Sequence, residues 1–307
     1  MKLLVTGSRG FVGGSVARYA AAKGHDVLGI GRAAQPESDW PGAYLSADVI
    51  TADLSGTIRD FAPDAIVHAA GTASVGASFS APIDDLRASL LSWANVLNAV
   101  RRSSSQPLLL FPSSGAVYGQ PGSLPVSEDA PVNPISPYGF HKAACELLAR
   151  EYADCFAQRV VVCRLFSVFG PGQRRLLPWE LYKQFAGPDE VVWLQGSGAE
   201  TRDYLSITDL ADALVQLIEN QESILPSPGC RVVNVASGVE TPVLDLAKQI
   251  GKLVAPQKEI ACRGLRRAGD PERWQADISQ VQNLLPAWKP RSLEQTLGEC
   301  VAAWQES

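Results

Sequence analysis

The sequence predicts an α/β fold built on a doubly wound parallel sheet, with a smaller, discontinuous C-terminal domain. Short, continuous apolar runs such as 2–6 and 65–71 are typical of strands that are buried on both faces of a sheet. Helical patterns separate these runs, and a glycine-rich turn joins the first run to the first helix. Beyond residue 165 the alternation becomes irregular. We therefore expect a first domain over 1–165, with later segments near 203–236 returning to it, and a second domain mainly over 166–202 and 237–307.

The composition is that of a globular protein, since 46% of the 307 residues are apolar and 19% are charged. The formal net charge is −5 without a long basic run, which argues against a nucleic-acid partner. No apolar run approaches ~20 residues and the first one is too short for a signal peptide, so we expect a cytoplasmic protein without a membrane span. The cysteines lack C-x-x-C spacing and a histidine at metal-ligand spacing. We expect no metal site and buried, reduced thiols at Cys145, Cys155, Cys163, Cys230, Cys262 and Cys300.

A glycine-rich loop between the first strand and the first helix is the first candidate binding element. Gly7, Gly10 and Gly13 let the backbone approach a ligand closely, and Phe11 and Val12 begin the helix. Backbone N–H groups and the positive end of the helix dipole meet at this point, where a pyrophosphate can bind. The strand before the loop and the helix after it indicate a Rossmann-type dinucleotide site.

The residue after the second strand bears on which dinucleotide binds. An acidic side chain there takes the ribose 2′-hydroxyl of NAD, whereas an arginine suits the 2′-phosphate of NADP. The chain has Arg32 at this position and Arg9 in the glycine loop, so we expect NADP, with NAD possible. The alternative is that Arg32 is a solvent-facing side chain in a surface turn and that other groups hold NAD.

Two further segments are expected to lie beside the cofactor. Asp48, which is followed by Val49, can accept a hydrogen bond from the adenine amine, but it can equally be a turn or cap residue. Ala69 and Ala70, at the end of the fourth apolar run, are small enough to leave room for the cofactor. His68 in the same run is expected to be packed and hydrogen-bonded rather than catalytic.

A tyrosine and a lysine form the candidate catalytic pair. Tyr138 and Lys142 are four residues apart in a helical pattern and therefore share one helix face. A nearby cation favours the phenolate, which lowers the pKa of tyrosine from ~10 toward the range of a general acid or base. Ser114 follows the strand 107–112, at the sheet edge where α/β proteins bind ligands. The alternative is a chance Tyr-x-x-x-Lys spacing on a solvated helix face.

Two segments of the second domain place arginines beside glycines. Arg202 lies in G-S-G-A-E-T-R-D, while Arg267 and Asp270 lie in R-R-A-G-D. Because arginine binds phosphate bidentately, both segments are candidates for binding a phosphate group. Either could equally be a solvated surface cluster.

Five motifs occur in order along almost the whole chain. T-G-S-R-G-F-V-G is similar to T-G-x-x-G-F-x-G, S-S-G-A-V-Y-G to S-S-x-x-V-Y-G, and S-P-Y-G-F-H-K to S-P-Y-x-x-x-K. R-L-F-S-V-F-G-P-G-Q is similar to R-x-x-N-V-Y-G-P-x-x, and T-R-D-Y-L-S-I-T-D-L to a later R-D-(F/Y)-x-x-V-x-D segment. With these motifs the chain resembles the extended short-chain dehydrogenase/reductase family, in particular its nucleotide-sugar epimerases, dehydratases and ketoreductases.

The resemblance implies a role for each matched residue. Tyr138 would be the general acid/base at the sugar oxygen, Lys142 would lower its pKa and bind the nicotinamide ribose, and Ser114 would hydrogen-bond the reacting oxygen. The C-terminal domain would be a substrate-binding domain for a nucleotide-diphosphate sugar. The residues expected to contact this substrate come from both domains and are Ser74, Ser114, Ser167, Arg202, Arg267 and Asp270. The family also implies a homodimer, joined through a four-helix bundle from helices near 82–102 and 137–157.

Departures from the family pattern reduce the number of reactions that the sequence allows. Ser114 is followed by Gly115 and Ala116 where sugar 4,6-dehydratases carry Asp-Glu, which argues against dehydration. The cysteine that epimerase-reductases making GDP-fucose use near this serine is absent from the sequence, which argues against 3,5-epimerisation. Ser89 and Ser167 stand where the family often has asparagine.

Two reactions remain compatible with the sequence. Reduction of a 4-keto nucleotide sugar by NADPH is the main expectation, favoured by Arg32 and by the likeness of G-I-G-R and T-A-S-V-G to GDP-4-keto-6-deoxy-mannose reductases. A 4-epimerase with a retained cofactor is the alternative, favoured by R-R-A-G-D. A protein that binds a dinucleotide without turnover is a third possibility. The intact Ser114, Tyr138 and Lys142 argue against it.

Overall fold

The computed structural model describes residues 1–265 and 268–306. Within these ranges, twelve strands form a seven-stranded parallel sheet and two smaller sheets of three and two strands. In chain order the strands are β1 (Lys2–Thr6), β2 (Asp26–Gly31), β3 (Ala43–Ser46), β4 (Ala65–His68), β5 (Leu108–Ser114), β6 (Arg159–Leu165), β7 (Ser167–Phe169), β8 (Val191–Leu194), β9 (Thr201–Ser206), β10 (Gly229–Val235), β11 (Glu240–Pro242) and β12 (Glu259–Cys262). The order in the main sheet is β10-β6-β5-β4-β1-β2-β3, with parallel pairing throughout.

Helices connect these strands and cover the sheets. In chain order they are α1 (Phe11–Ala22), α2 (Ser55–Phe61), α3 (Val75–Ser80), α4 (Pro82–Leu86), α5 (Ser92–Ser103), α6 (Pro137–Phe156), α7 (Leu176–Ala186), α8 (Ile207–Glu219), α9 (Gln221–Ile224), α10 (Val243–Val254), α11 (Ser279–Leu284) and α12 (Leu293–Gln305). The helix expected near 82–102 is not uniform, because a π-helical turn (Arg87–Leu91) lies between α4 and α5. Such turns are frequent at functional sites, and this one contains Ser89.

Successive residues of a buried strand face opposite apolar layers. Leu3 and Val5 of β1 pack in the same layer as Leu214 of α8. Leu4, between them, packs in the other layer together with Trp93 of α5. Helices therefore cover both faces of the main sheet, and the predicted doubly wound α/β fold is confirmed.

The strand order reverses beside β1. Strands β2 and β3 extend the sheet on one side of β1, whereas β4, β5 and β6 extend it on the other. In open α/β sheets, ligands bind at the carboxyl ends of the strands where the order reverses. The loops after β1, β4 and β5 consequently face one crevice.

The later part of the chain has an apolar core of its own. Strands β7, β9 and β11 form the three-stranded sheet, and β8 pairs with β12. Helices α7, α10 and α12 pack around Phe185, Leu246 and Leu297. Strand β10 instead pairs with β6 at the edge of the main sheet, and α8 packs on α1. The domain boundaries given above stay a prediction.

The cysteines differ from expectation in their exposure. All are free thiols, and Cys145, Cys163 and Cys300 are buried as expected. The expectation is wrong for Cys155 and Cys262, which are exposed. Cys155 lies in the last turn of α6 and Cys262 ends a strand of the two-stranded sheet, so solvent reaches both.

His68 is packed and hydrogen-bonded, as expected from its place in an apolar run. Its exposed fraction is 1%, and its ring stacks on Trp93 with 5.0 Å between centroids. Nδ1 lies 2.9 Å from the Thr6 hydroxyl, and Nε2 lies 3.2 Å from the Ser92 hydroxyl. Burial, followed by the charge of Lys142, lowers the pKa of His68 to about 3, because a charged imidazole would lose its hydration here.

We expect His68→Gln to make stability less dependent on pH. An unfolded histidine binds a proton as pH falls through ~6.5, whereas folded His68 stays neutral down to its pKa of about 3. Wild-type protein thus loses no stability from this group at about pH 8, and loses roughly 2 kcal/mol at about pH 5. Urea unfolding of both proteins at the two pH values measures the difference. An equal pH dependence in the variant would contradict this account.

Candidate active site

The carboxyl ends of the central strands open into a cleft of about 1410 Å³ between the main sheet and the later part of the chain. Its walls come from the loops after β1, β4, β5 and β6 and from residues of β8 and β9. Several predicted site residues line this cleft: Phe11, Val12, Ala69, Ala70, Ser74, Ser114, Tyr138, Lys142, Ser167, Arg202 and Asp270. Tertiary structure therefore brings together side chains from seven separate segments.

The glycine loop has the geometry that a pyrophosphate needs. Gly7 has a φ of +66°, and a Cβ there would lie 2.5 Å from the Ala70 nitrogen. A Cβ at Gly13 would lie 2.5 Å from the Gly7 carbonyl oxygen. Gly10 precedes α1 without a capping side chain, so no side chain takes the first N–H groups of the helix. These features fit the diphosphate of a dinucleotide at the helix N-terminus.

The residues predicted at the adenosine end are not among the side chains that line the cleft. Arg32 follows β2 directly and is exposed, as is Arg9. In the described part of the chain no carboxylate pairs with Arg32. Asp48 accepts a hydrogen bond from the Ile50 nitrogen at 2.9 Å, which matches the turn role left open above. Val49 is buried in the layer of α5.

Ser114, Tyr138 and Lys142 line the same cleft. Ser114 ends β5, and its hydroxyl accepts from the Ala116 nitrogen at 3.2 Å and lies near the Tyr138 phenol, whose pKa it lowers. The Lys142 ammonium lies 5.8 Å from the centroid of the Tyr138 ring and donates to the Pro112 carbonyl at 2.8 Å. All three side chains are at least nine-tenths buried.

Local sequence explains how the start of α6 holds Tyr138. Ser136 caps the helix by accepting from the Gly139 nitrogen at 3.1 Å, and Pro137 occupies its first turn. The Tyr138 nitrogen donates to the Ser78 hydroxyl of α3 at 3.1 Å, so a second helix also fixes this end. The ring position is therefore set by both local capping and a long-range contact.

The electrostatics of the pair differ from the sequence expectation. Burial raises the pKa of Tyr138 to about 12, although the nearby Ser114 hydroxyl opposes the shift. The expected lowering by Lys142 is not found, because its ammonium points to the Pro112 carbonyl instead of the phenol. Burial also lowers the pKa of Lys142. Near neutral pH the phenol is consequently in its protonated form.

Two of the three predicted phosphate-binding residues, Arg202 and Asp270, line the cleft. Arg202 pairs with Asp270 at 3.0 Å, and its guanidinium lies 5.7 Å from the centre of the Trp274 ring system. Ser74 caps α3 by accepting from the Ala77 nitrogen at 3.2 Å. Ser167, on β7, faces the cleft. Arg267 lies outside the described residues.

Sequence reasoning missed two buried polar atoms that belong to side chains lining the cleft. Within residues 1–265 and 268–306, the Tyr204 hydroxyl and the Trp274 indole nitrogen are buried without a hydrogen-bond partner. Both side chains line the cleft beside Arg202, so a ligand could satisfy them. The signal for Tyr204 was present, since it follows Arg202-Asp203 in a quoted motif. Asp203 itself faces inward and accepts from the nitrogens of Ser237, Gly238 and Ala276.

Two further properties of the described chain concern metal binding and membrane spans. In the described ranges, histidine, cysteine, aspartate and glutamate form no group that could hold a metal ion. Every helix in the same part of the chain is too short or too polar to cross a membrane.

Comparison with known proteins supports the motifs. The model of the "NAD dependent epimerase/dehydratase family" matches residues 3–236. The UDP-glucose 4-epimerase of Mycolicibacterium smegmatis is 30% identical over 304 residues, covering 95% of this chain and 94% of that protein. The GDP-6-deoxy-D-mannose reductase of Pseudomonas aeruginosa is 28% identical over 319 residues, covering 99% and 97%.

A solved structure is similar over the whole chain. It is a mutant UDP-glucuronic acid 4-epimerase from Bacillus cereus in complex with NAD and UDP-4-deoxy-4-fluoro-glucuronic acid. Its sequence identity is 25% and its TM-score 0.88, and the match covers 100% of this chain and 99% of that chain.

Proposed function

The chain belongs to the NAD-dependent epimerase/dehydratase family, and we propose that it reduces the C4 carbonyl of a 4-keto nucleotide-diphosphate sugar with NADPH. The observation that carries the proposal is the buried group of Ser114, Tyr138 and Lys142, which lines one large cleft. Reduction of a carbonyl needs a hydride at carbon and a proton at oxygen. This group handles the oxygen, and a nicotinamide bound beside it would supply the hydride.

Each member of the group has a distinct part in the proposed reduction. Tyr138 donates its proton to the carbonyl oxygen as the C–O double bond becomes a single bond. Ser114 hydrogen-bonds the same oxygen and holds it against the phenol. The Lys142 ammonium stabilises the phenolate that remains after proton transfer. A pKa of about 12 supports this direction, because it keeps Tyr138 in the donor form at neutral pH.

Recognition of the nucleotide diphosphate is proposed for a second group of residues. Arg202 and Arg267 would bind the phosphates, and Asp270 would hold Arg202 in place through their ion pair. The unpaired hydroxyl of Tyr204 and indole nitrogen of Trp274 would donate to the same ligand. The glycine loop, about the N-terminus of α1, is proposed for the cofactor diphosphate.

The choice of NADPH rests on Arg32. We expect Arg32→Asp to weaken NADPH binding about tenfold while NADH binding is kept, because a charge-assisted bond to the 2′-phosphate is lost. Fluorescence titration of both nucleotides gives the ratio of their dissociation constants. Arg59→Asp, an exposed arginine next to Asp60, is the matched control and should leave the ratio unchanged. If Arg32→Asp also leaves it unchanged, the assigned role of Arg32 is wrong.

A 4-epimerase is the second candidate, and the 4-epimerases among the relatives favour it. An epimerase first removes a proton from a hydroxyl, so it needs Tyr138 as phenolate, and it retains its cofactor between turnovers. NADPH oxidation with a 4-keto nucleotide sugar supports the reductase. Tightly held NAD in purified protein and interconversion of a nucleotide hexose without net redox change support the epimerase. A protein that shows neither reaction would be a non-catalytic dinucleotide-binding protein.

A homodimer is also proposed. Large apolar side chains are exposed on α4, the π-helical turn and α6, namely Ile83, Leu91, Phe140 and Leu147. Leu147 is 69% exposed although it lies in the middle of the longest helix of the described chain. A second copy packing these helices into a four-helix bundle would cover the surface.

A further inference from the structure

A carboxylate outside the Ser114, Tyr138 and Lys142 group is buried against the catalytic helix α6. Asp85 of α4 is 3% exposed. His141, the residue before Lys142, donates from Nδ1 to Asp85 Oδ2 at 2.5 Å, and the Thr72 hydroxyl donates to Oδ1. Thr72 also lies 3.3 Å from the Ser89 hydroxyl of the π-helical turn. One carboxylate thus joins the loop after β4, the helix α4 and the helix α6.

Thr72 connects this carboxylate to the ligand cleft. Thr72 lines the cleft, as do its neighbours Gly71 and Ser74 and the catalytic Tyr138. Within the described residues, the other side-chain hydrogen bonds of this loop are the contact of Thr72 with the Ser89 hydroxyl and the cap that Ser74 forms on α3. The hydroxyl bond from Thr72 to Asp85 therefore helps to fix the wall against which a bound sugar would rest.

Asp85 also acts on the charge balance of the catalytic pair. Lys142 is buried, and its direct partner is the neutral Pro112 carbonyl. The carboxylates that act on it are Asp85 and Glu146. Glu146 is already paired with Arg164 at 2.8 Å. Asp85 is therefore the carboxylate near Lys142 that lacks an arginine or lysine partner within the described residues.

His141 is the titratable group in direct contact with Asp85, and when it is protonated it shares the Asp85 charge with Lys142. The remaining groups near Lys142 and Asp85 are neutral or exposed. Burial raises the pKa of the Cys145 thiol to about 12 and lowers that of His68 to about 3, so neither carries charge near neutral pH. Asp84 and Arg87, on the same helical stretch as Asp85, are exposed to solvent. Their charges are consequently screened.

We propose that Asp85 is a positioning residue: its charge balances Lys142, and its bonds to Thr72 and His141 hold the cleft wall against α6. The proposal rests on the proposed function, since it takes Tyr138 as proton donor and Lys142 as a cation. A negative charge at Asp85 favours the ammonium of Lys142 and the neutral phenol of Tyr138 alike. Both are the forms from which a carbonyl reduction starts.

The test removes the charge of the Asp85 side chain while keeping the shape of that side chain. Removing the Asp85 charge lowers the pKa of both Lys142 and Tyr138, so activity should fall at a lower pH. We expect Asp85→Asn to move the alkaline fall in kcat down by about one pH unit. Asp84→Asn removes the same charge from the same helical turn, but at an exposed position, and should leave kcat, KM and the pH profile unchanged. An Asp85→Asn profile equal to that of wild type would overturn the proposal.

A second variant separates the charge from the hydrogen bonds. Thr72→Val keeps the Asp85 carboxylate but removes one bond to the cleft wall, so it should raise KM for the sugar nucleotide without moving the pH profile. If both variants give the same change, Asp85 acts through packing alone and the charge role is wrong. Folding of both variants is checked by circular dichroism. If Asp85→Asn does not fold while Asp84→Asn does, the positioning role is likewise overturned.

Cofactor binding distinguishes failure of this inference from failure of the proposed function. Lys142 is proposed to contact the cofactor ribose, so binding of NADPH or NADH should weaken at high pH as Lys142 loses its proton. Fluorescence titration across pH should show this weakening at lower pH in Asp85→Asn than in wild type or Asp84→Asn. Wild-type protein without turnover of any nucleotide sugar would refute the proposed function. An unshifted binding profile would refute the role of Asp85.

Discussion

Tyr138→Phe will lower kcat by about 10²–10⁴-fold and leave cofactor affinity unchanged. The hydroxyl is the proposed proton source at the reacting oxygen, and the residue is only 8% exposed, so bulk water cannot take its place. Phenylalanine keeps the ring and its packing beside Ser114. The loss should therefore appear in kcat measured at saturating substrate, with NADPH and NADH dissociation constants as in wild type.

A matched control for this change lies on the same helix. Tyr152 is also in α6, four turns further on, where its ring packs on Phe156 with 4.9 Å between centroids. Tyr152→Phe removes a hydroxyl from the helix without touching the cleft and should leave kcat unchanged. Turnover by Tyr138→Phe at the wild-type rate would show that the phenol is not the proton donor.

Arg164→Met will lower the free energy of unfolding by about 3–5 kcal/mol, because it leaves a carboxylate without its partner in a buried place. Arg164 of β6 is 4% exposed and pairs with Glu146 of α6 at 2.8 Å. It also donates to the Tyr118 hydroxyl at 2.9 Å. The Ser113 hydroxyl donates to the same Glu146 carboxylate at 2.5 Å. The pair therefore joins β6 to α6, and the Ser113 bond joins the strand that ends in Ser114 to the same helix.

Urea unfolding measures this loss, and two further variants interpret it. Glu146→Leu combined with Arg164→Met removes both charges and should recover a large part of the stability, since the main cost is one unpaired charge. Arg102→Met breaks an exposed pair with Asp53 and should change stability by less than about 1 kcal/mol. If Arg164→Met is no less stable than Arg102→Met, the buried pair does not hold the sheet to α6.

Most of the fold could be predicted because its signals are local. Apolar runs predicted the parallel strands, and the doubly wound arrangement was found in the structure. The glycine spacing predicted a turn between the first strand and the first helix, and in the structure this turn is closely packed at Gly7 and Gly13. The four-residue spacing of Tyr138 and Lys142 placed both on one face of α6. Each inference depends on residues within one or two turns of each other.

By itself, then, the sequence determined the sheet, the glycine loop, the family and the helix that carries Tyr138 and Lys142. Only the tertiary structure decided the surroundings of that pair. Burial raises the pKa of Tyr138 to about 12, where proximity to a lysine alone predicted a lower value. Asp85 meets His141 across 56 positions of sequence, and no local pattern indicates such a pair. The physical reason is that desolvation and long-range contacts depend on which elements pack together, whereas strand, turn and helix signals depend on near neighbours.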